Sequence, residues 1–229
     1  MTDASPLRVV VLISGSGSNL QALIDSARQG DLPIDLRAVI SNEPGAFGLE
    51  RARRAGIDTR VLGHRDFASR KAYDQALADL IDPYRPGLVV LAGFMRILSP
   101  AFVSRFRGRM LNIHPSLLPK FRGLHTHQRA LEARETLHGA SVHFVTEELD
   151  GGPLVLQAEV PIEPGDDANR LAARVLAQEH RIYPLAVRWF AQGRLRLGDD
   201  GKPRLDGQVV EQPLILGRLT RDQLGCDRE

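Results

Sequence analysis

Short apolar runs alternate with helical patterns up to residue 145, and this alternation limits the fold more than any other feature. The run Arg8–Ile13 is rich in β-branched residues, as in a strand that is buried on both faces of a sheet. The stretch Asn19–Gln29 follows with apolar residues at helical spacing. Further strands are predicted at 35–41, 58–62, 88–92, 110–114 and 141–145, and further helices at 47–55 and 69–81. The alternation predicts an α/β fold with a mostly parallel, doubly wound sheet.

The pattern changes after residue 150. A strand predicted at Val155–Val160 leads to a long helix from about Asp167 to Phe190, in which Pro184 predicts a kink or a break. Short apolar segments on both sides of Asp199-Asp200-Gly201 predict a hairpin near the C-terminus. The predicted organisation is one domain at 1–193 and a hairpin and tail at 194–229, packed on the same domain.

Composition and charge argue against several classes of function. No apolar run is long enough to span a bilayer, and residues 1–6 lack the pattern of a secretory signal. The single cysteine, Cys226, has no partner for a disulfide. We therefore expect a cytoplasmic protein with no membrane partner. The 30 Lys and Arg residues nearly balance the 28 Asp and Glu residues and are scattered among them, so no nucleic-acid partner is expected.

The loop Ser14-Gly15-Ser16-Gly17-Ser18-Asn19 stands between the first strand and the first helix. Glycines let the backbone approach a phosphate, and the helix N-terminus offers unpaired N–H groups. The loop lacks the third glycine of a dinucleotide fingerprint, because Leu20 stands at that position, and it is not a P-loop. A tight turn in which Ser18 or Asn19 caps the helix explains the loop equally well.

Two polar side chains, Asn112 and His114, lie at the end of the strand predicted at 110–114. Residues two apart in a strand point to the same side, and ligands of open α/β sheets bind beyond the carboxyl ends of the strands. Pro115 and Pro119 prevent the strand from continuing. An amide donor beside an imidazole stabilises negative charge on oxygen and carries a proton, so the pair indicates catalysis.

A third candidate, Asp150, lies in a Gly-Gly-Pro turn after the strand predicted at 141–145. Such a residue is commonly only a turn-former. If the two strands are parallel, however, Asp150 lies at the same sheet edge as His114, where a carboxylate favours the protonated imidazole. His125, His127 and His143 lie nearby in sequence, but the spacings typical of a zinc site are lacking, and we expect no metal.

Four segments of this sequence resemble those of the 10-formyltetrahydrofolate-dependent formyltransferases, and among these the glycinamide ribonucleotide formyltransferases. They are Ser14-Gly15-Ser16-Gly17-Ser18-Asn19-Leu20, Ala92-Gly93-Phe94-Met95-Arg96-Ile97-Leu98-Ser99, Asn112-Ile113-His114-Pro115-Ser116-Leu117-Leu118-Pro119 and Leu149-Asp150-Gly151-Gly152-Pro153. The resemblance runs from about Val9 to Phe190. It implies a single-domain, Rossmann-like formyltransferase fold, in which a mostly parallel sheet has antiparallel strands and a hairpin toward the C-terminus. It also implies 10-formyltetrahydrofolate as co-substrate and a small-molecule acceptor.

The resemblance also assigns roles to residues. It implies catalysis by Asn112, His114 and Asp150, phosphate binding by Gly17, Ser18 and Asn19, folate binding by Arg70, Met95, Arg96, Ile97, Leu98, Val145 and Thr146, and contact of Glu179 with the substrate amine. Residues 120–126 correspond to a mobile lid, in which Phe121-Arg122-Gly123 differs from the Tyr-Pro-Gly common in the family. The expected oligomeric state is a monomer or a weak homodimer.

Three alternatives share part of this pattern. A formyltetrahydrofolate deformylase shares the catalytic trio but carries a domain before it, and a methionyl-tRNA formyltransferase carries one after it. We expect neither, because the first core strand begins by residue 8 and about forty residues follow the long helix. A dinucleotide-dependent oxidoreductase or binding module would use Glu43 after the second strand, but it leaves the Asn112 and His114 pair unexplained.

Overall fold

The computed structural model describes residues 5–225. Residues 1–4 and 226–229 lie outside the described residues, and so do Cys226 and most of the N-terminal segment interpreted above. Strands and helices alternate in the first half: β1 Leu7–Ile13, α1 Ser18–Arg28, β2 Ile34–Ser41, α2 Phe47–Arg54, β3 Asp58–Val61, α3 Arg70–Ile81, β4 Leu88–Leu91, α4 Pro100–Arg105 and β5 Met110–His114. The second half contains α5 Thr126–Glu132, β6 Leu137–Phe144, β7 Leu154–Pro161, α6 Ala168–Ala191, β8 Leu195–Leu197, β9 Pro203–Leu205, β10 Gln208–Val209, β11 Leu214–Ile215 and α7 Arg221–Leu224.

Eight strands form one sheet in the order β11-β7-β6-β5-β4-β1-β2-β3. Strands β1 to β5 are parallel, whereas β6 is antiparallel to both β5 and β7. This is the predicted α/β fold with antiparallel strands toward the C-terminus. Strand β11, which the sequence analysis missed, pairs in parallel with β7 at the edge of the sheet.

Helices cover both faces of the sheet, and β1 shows why the strand is apolar throughout. Val9, Val11 and Ile13 face the layer that contains α1 and α6. Val10 and Leu12 face the other layer, which contains α3 and α4. All five side chains are fully buried, so apolar residues follow one another along the strand instead of alternating with polar ones.

Helix α6 is continuous across Pro184, so the predicted break is absent. The side chain of Asp167 caps the helix by accepting from the backbone N–H of Arg170. Apolar residues before and after the proline are buried against the sheet, and this packing outweighs the cost of a proline inside a helix, roughly 3 kcal/mol. No helix in residues 5–225 has the length and apolar character to cross a membrane.

The predicted hairpin is present as antiparallel β8 and β9, and β10 adds a third strand to this small second sheet. The segment that follows packs on α6. The indole N–H of Trp189 donates to the Gln223 carbonyl at 2.7 Å, and Arg188 donates to the Leu224 carbonyl.

Candidate active site

The loop after β1 ends in a glycine that starts helix α1. Gly17 is the N-cap residue, with a left-handed φ of 69°, and no side chain caps the helix. The expectation that Ser18 or Asn19 caps it was wrong, because these are the first two residues inside the helix. The backbone N–H groups of the first turn therefore remain available to an anion.

Gly48 in α2 lies against this loop. Its N–H donates to the Gly15 carbonyl at 3.0 Å, and a Cβ on Gly17 would lie 2.6 Å from the Gly48 Cα. The two backbones approach this closely only because neither residue has a side chain. No role was predicted for Gly48, for which the only signal in the sequence is a glycine near the start of a helix.

Asn112 and His114 project from the end of β5, where Asn112 is half-buried and His114 is 6% exposed. The amide Nδ2 of Asn112 lies 3.0 Å from Nε2 of His143, its neighbour on β6. The Nδ1–H of His143 donates to the Phe144 carbonyl at 2.8 Å, so Nε2 carries the lone pair that accepts from Asn112. Burial lowers the pKa of His143 to about 4, which keeps the ring neutral.

Both ring nitrogens of His114 face acceptors. Nε2 lies 3.0 Å from the Phe121 carbonyl oxygen, and Nδ1 lies 3.5 Å from the Asp150 carboxylate. A neutral ring would point a lone pair at one of these oxygens. A ring with hydrogen on both nitrogens would donate to both oxygens.

Asp150 reaches His114 by a path that the sequence analysis did not expect. The assumption that the two strands are parallel was wrong: β6 is antiparallel to β5, and Val145 at its end bonds to Met110 at the beginning of β5. The loop after β6 instead returns along β5 toward His114. Asp150 has a φ of 48°, and its carboxylate accepts from the Gly123 N–H at 2.9 Å.

The segment Met95–Leu98, predicted to bind folate, follows β4. The side chains of Met95 and Ile97 are exposed, whereas Leu98 is buried. The N–H of Met95 donates to the Ser14 hydroxyl at 2.7 Å, which joins this segment to the glycine loop. No separate role was predicted for Ser14, although it is the first polar residue after β1.

The other predicted folate residues lie in different elements. Arg96 is half-buried, with its guanidinium carbon 5.7 Å from the Tyr73 ring centroid. Arg70 is exposed at the first position of α3. Val145 and Thr146 are half-buried in the loop that begins beside Met110. In contrast to Met95, none of these four residues is hydrogen-bonded to the glycine loop.

Glu179 and Asn19, to which separate roles were assigned, bind each other. The Asn19 amide donates to the Glu179 carboxylate at 2.6 Å, although 160 residues separate them. Glu179 is 6% exposed, and its burial raises the pKa of the carboxyl group, while the bond from Asn19 opposes this shift. Helix α6 therefore brings a buried carboxyl group to the first turn of α1.

Side chains of the predicted lid bind residues outside it. Arg122 pairs with Glu148, and the Thr126 hydroxyl donates to the Pro115 carbonyl at 2.7 Å.

Two histidines lie next to the lid. Nε2 of His138 lies 3.2 Å from Nδ1 of His127. Burial lowers the pKa of both rings, and that of His138 falls to about 4. In residues 5–225, no three His, Cys, Asp or Glu side chains are grouped to hold a metal.

Comparison with known proteins identifies the family. The formyl transferase family model matches residues 7–187 of this chain. The chain belongs to the formyl transferase family. This confirms the resemblance inferred from the four sequence segments.

Individual members of the formyl transferase family are similar over most of this chain. The phosphoribosylglycinamide formyltransferase of Escherichia coli is 59% identical over 202 residues, which cover 88% of this chain and 95% of the relative. The trifunctional purine biosynthetic protein adenosine-3 of Bos taurus is 48% identical over 195 residues, or 85% of this chain and 19% of that protein. The structure of phosphoribosylglycinamide formyltransferase from Coxiella burnetii has a TM-score of 0.87 and 52% identity, with 91% of this chain and 99% of that one covered.

Proposed function

We propose that this enzyme transfers the formyl group of 10-formyltetrahydrofolate to the glycyl amine of glycinamide ribonucleotide, in de novo purine biosynthesis. Glycinamide ribonucleotide is the phosphoribosylglycinamide in the names of its relatives from Escherichia coli and Coxiella burnetii. The observation that carries the chemistry is the position of His114, whose ring lies between the Asp150 carboxylate and a carbonyl acceptor.

In the proposed reaction the amine nitrogen attacks the formyl carbon, and the carbonyl electron pair moves onto oxygen. The free amide N–H of Asn112 and the Nε2–H of His114 stabilise this oxyanion. The Nε2–H donates to the Phe121 carbonyl in this structure, so a substrate oxygen would replace that carbonyl as acceptor. Asp150 keeps the ring of His114 protonated and oriented.

The tetrahedral intermediate then collapses with cleavage of the bond between the formyl carbon and N10 of the folate. His114 donates its Nε2 proton to N10 of the departing tetrahydrofolate, and the neutral ring then takes one proton from the amine nitrogen, so that the imidazolium is restored. The products are the formylated acceptor and tetrahydrofolate. No covalent bond to the enzyme forms at any step.

The remaining predicted residues bind the two substrates in this proposal. The open N–H groups of Gly17, Ser18 and Asn19 at the helix start hold the phosphate of the acceptor. Glu179 accepts a hydrogen bond from the substrate amine. The folate contacts Arg70, Met95, Arg96, Ile97, Leu98, Val145 and Thr146. A cytoplasmic location and a monomer or weak homodimer stay predictions, and analytical ultracentrifugation measures the oligomeric state.

One assay tests the proposal. The purified protein is mixed with 10-formyltetrahydrofolate, with and without glycinamide ribonucleotide, and folate absorbance is followed. We expect turnover that requires the ribonucleotide. Turnover at the same rate without it would show a hydrolase instead, and no turnover in either mixture would contradict the proposed activity.

A further inference from the structure

Arg51 in α2 makes three contacts that tie the glycine loop to the neighbouring helices. Its Nε–H donates to the Ser16 carbonyl at 2.9 Å, and its Nη1 donates to the Gln21 side chain in α1 at 3.2 Å. Its guanidinium carbon lies 4.9 Å from the ring centroid of Phe47. The planar group is therefore held in one orientation by the loop, by α1 and by its own helix.

These contacts determine which polar groups the loop can offer to an anion. The Ser16 carbonyl accepts from Arg51, and the Gly15 carbonyl accepts from the N–H of Gly48. Both oxygens are thus directed toward α2. A carbonyl oxygen aimed at a phosphate would repel it, so engaging these two on the α2 side leaves the N–H groups at the start of α1 to face the ligand.

Arg51 also brings a positive charge that no carboxylate of residues 5–225 neutralises. Glu50, its neighbour in α2, pairs with Arg53 and Arg54 instead, and among the ion pairs of residues 5–225 none includes Arg51. The charge is felt at α6, since it contributes, after burial, to lowering the pKa of His180, the residue next to Glu179. A cation beside an anion-binding loop strengthens binding of a phosphate.

We propose that Arg51 is a positioning residue for the phosphate-binding loop, and that it sets the affinity of this enzyme for an acceptor that carries a phosphate monoester. Arg51 acts through the orientation of Ser16 and Gly17 and takes no part in formyl transfer. The inference rests on the proposed function, and specifically on phosphate binding by Gly17, Ser18 and Asn19.

The test compares Arg51→Met with Arg54→Met in steady-state kinetics of the full-length enzyme. Both substitutions remove one positive charge from α2, but Arg54 is exposed, pairs with Glu50 and makes none of the loop contacts. We expect Arg51→Met to raise KM for glycinamide ribonucleotide about tenfold or more. We expect kcat and KM for 10-formyltetrahydrofolate to stay within about twofold, and Arg54→Met to resemble the wild type.

A merely structural role would lower kcat and raise both KM values together, and that result would overturn the proposal. Equal effects of Arg51→Met and Arg54→Met would also overturn it, since they would show a general charge effect. If Arg51→Met does not fold, Arg51→Lys decides. This variant keeps the charge but lacks the guanidinium that joins Ser16 and Gln21, and its KM for the ribonucleotide should rise about threefold or more. An unchanged value contradicts the inference.

The acceptor without its phosphate, glycinamide riboside, gives a second readout. Because the riboside has nothing for the loop to hold, Arg51→Met should change its kcat/KM by less than about twofold. An equal loss with riboside and ribonucleotide would refute a phosphate-specific role. If the riboside is not turned over at all, the comparison of the two KM values decides alone. Failure of the wild-type enzyme to use glycinamide ribonucleotide would refute the proposed function, whereas a normal wild type with an unaffected Arg51→Met variant refutes only this inference.

Discussion

Nδ1 of His114 lies 3.5 Å from the Asp150 carboxylate, although the strand before Asp150 is antiparallel to the strand that carries His114. The contact exists because the loop after β6 returns along β5 instead of continuing away from it. Both side chains are almost fully buried, at 8% and 9% side-chain exposure. Their electrostatic interaction is therefore only weakly screened by water.

The first prediction concerns the charge of Asp150. Asp150→Asn keeps the size of the side chain but removes the negative charge that faces Nδ1 of His114 and that is proposed to keep this ring protonated during catalysis. We expect kcat to fall about 100-fold or more, with KM values changed only a few-fold. Glu147→Gln, which neutralises an exposed carboxylate in the same loop, is the matched control and should behave as wild type. Near-normal turnover of Asp150→Asn would refute the role of this residue.

The second prediction concerns His143, which holds the amide of Asn112. His143→Leu removes the acceptor for Asn112 Nδ2. We expect a fall in kcat of about 10- to 100-fold, because a misplaced oxyanion donor loses much of its effect. His143→Gln supplies another acceptor at this position and should recover part of the rate. Equal loss in both variants would mean that packing of the ring, rather than its hydrogen bond, is what matters.

A third prediction follows from the buried state of His143. Burial lowers its pKa to about 4, so the neutral ring with hydrogen on Nδ1 should persist at about pH 6, where an ordinary histidine is largely protonated. NMR of the ring nitrogens as a function of pH measures this, with the signal assigned by its loss in His143→Gln. A titration midpoint above about 6 would contradict the assignment of Nε2 as the acceptor.

The fourth prediction concerns the stability cost of Glu179. Burial raises the pKa of the Glu179 carboxyl group in the folded state above its value in the unfolded chain. The protonated carboxyl therefore contributes to the stability of the fold at low pH. This contribution is lost as pH rises through the folded-state pKa. Glu179→Gln cannot ionise. The difference in Tm, variant minus wild type, should therefore become more positive between about pH 4 and about pH 8.

Differential scanning fluorimetry over this pH range measures the difference in Tm. Glu132→Gln serves as the control, since Glu132 is exposed in α5 and its substitution should give a difference that does not vary with pH. The same Glu179→Gln variant should bind the acceptor more weakly, because its single amide oxygen already faces Asn19 and replaces the carboxyl group proposed to accept a hydrogen bond from the substrate amine. A Tm difference for Glu179→Gln that is constant with pH would show that burial does not control this carboxyl group.

The fifth prediction uses the two glycines of the loop. Gly17→Ala places a methyl group at a left-handed φ of 69° and 2.6 Å from the Gly48 Cα. We expect a loss of at least about 1–2 kcal/mol in the free energy of unfolding, measured by urea denaturation, together with a higher KM for the ribonucleotide. Gly15→Ala, with no atom within 4 Å of the added carbon, should cost much less. Similar costs for both would refute the close approach of α2.

The periodicity of apolar residues predicted the main strands and helices well, because the buried face of each element is visible in the order of its own apolar and polar residues. The run at Arg8–Ile13 became β1, and the helix predicted from Asp167 became α6 with Asp167 as its cap. The two-residue strands at Gln208–Val209 and Leu214–Ile215 were missed, because they are too short to show a period. The direction of β6 was also missed, since apolar pattern alone does not specify whether a strand pairs in parallel.

Part of the candidate site could likewise be predicted from local sequence, and part could not. The position of Asn112 and His114 on one strand end follows from local sequence, and the motifs identified the family. Their partners could not be derived from local pattern: His143 lies 31 residues from Asn112, Glu179 lies 160 residues from Asn19, and Arg51 lies 35 residues from Ser16.

The sequence by itself determined the α/β class, the main strands and helices, and, through its motifs, the family. Only the tertiary structure showed that the loop after antiparallel strand β6 brings Asp150 close to His114. It also showed that Arg51 and Gly48 of α2 are hydrogen-bonded to the glycine loop. Local pattern reports which side of each element is buried. The pairing of distant side chains depends instead on strand direction, loop path and close backbone approach, which arise only when all the elements bury their apolar faces together.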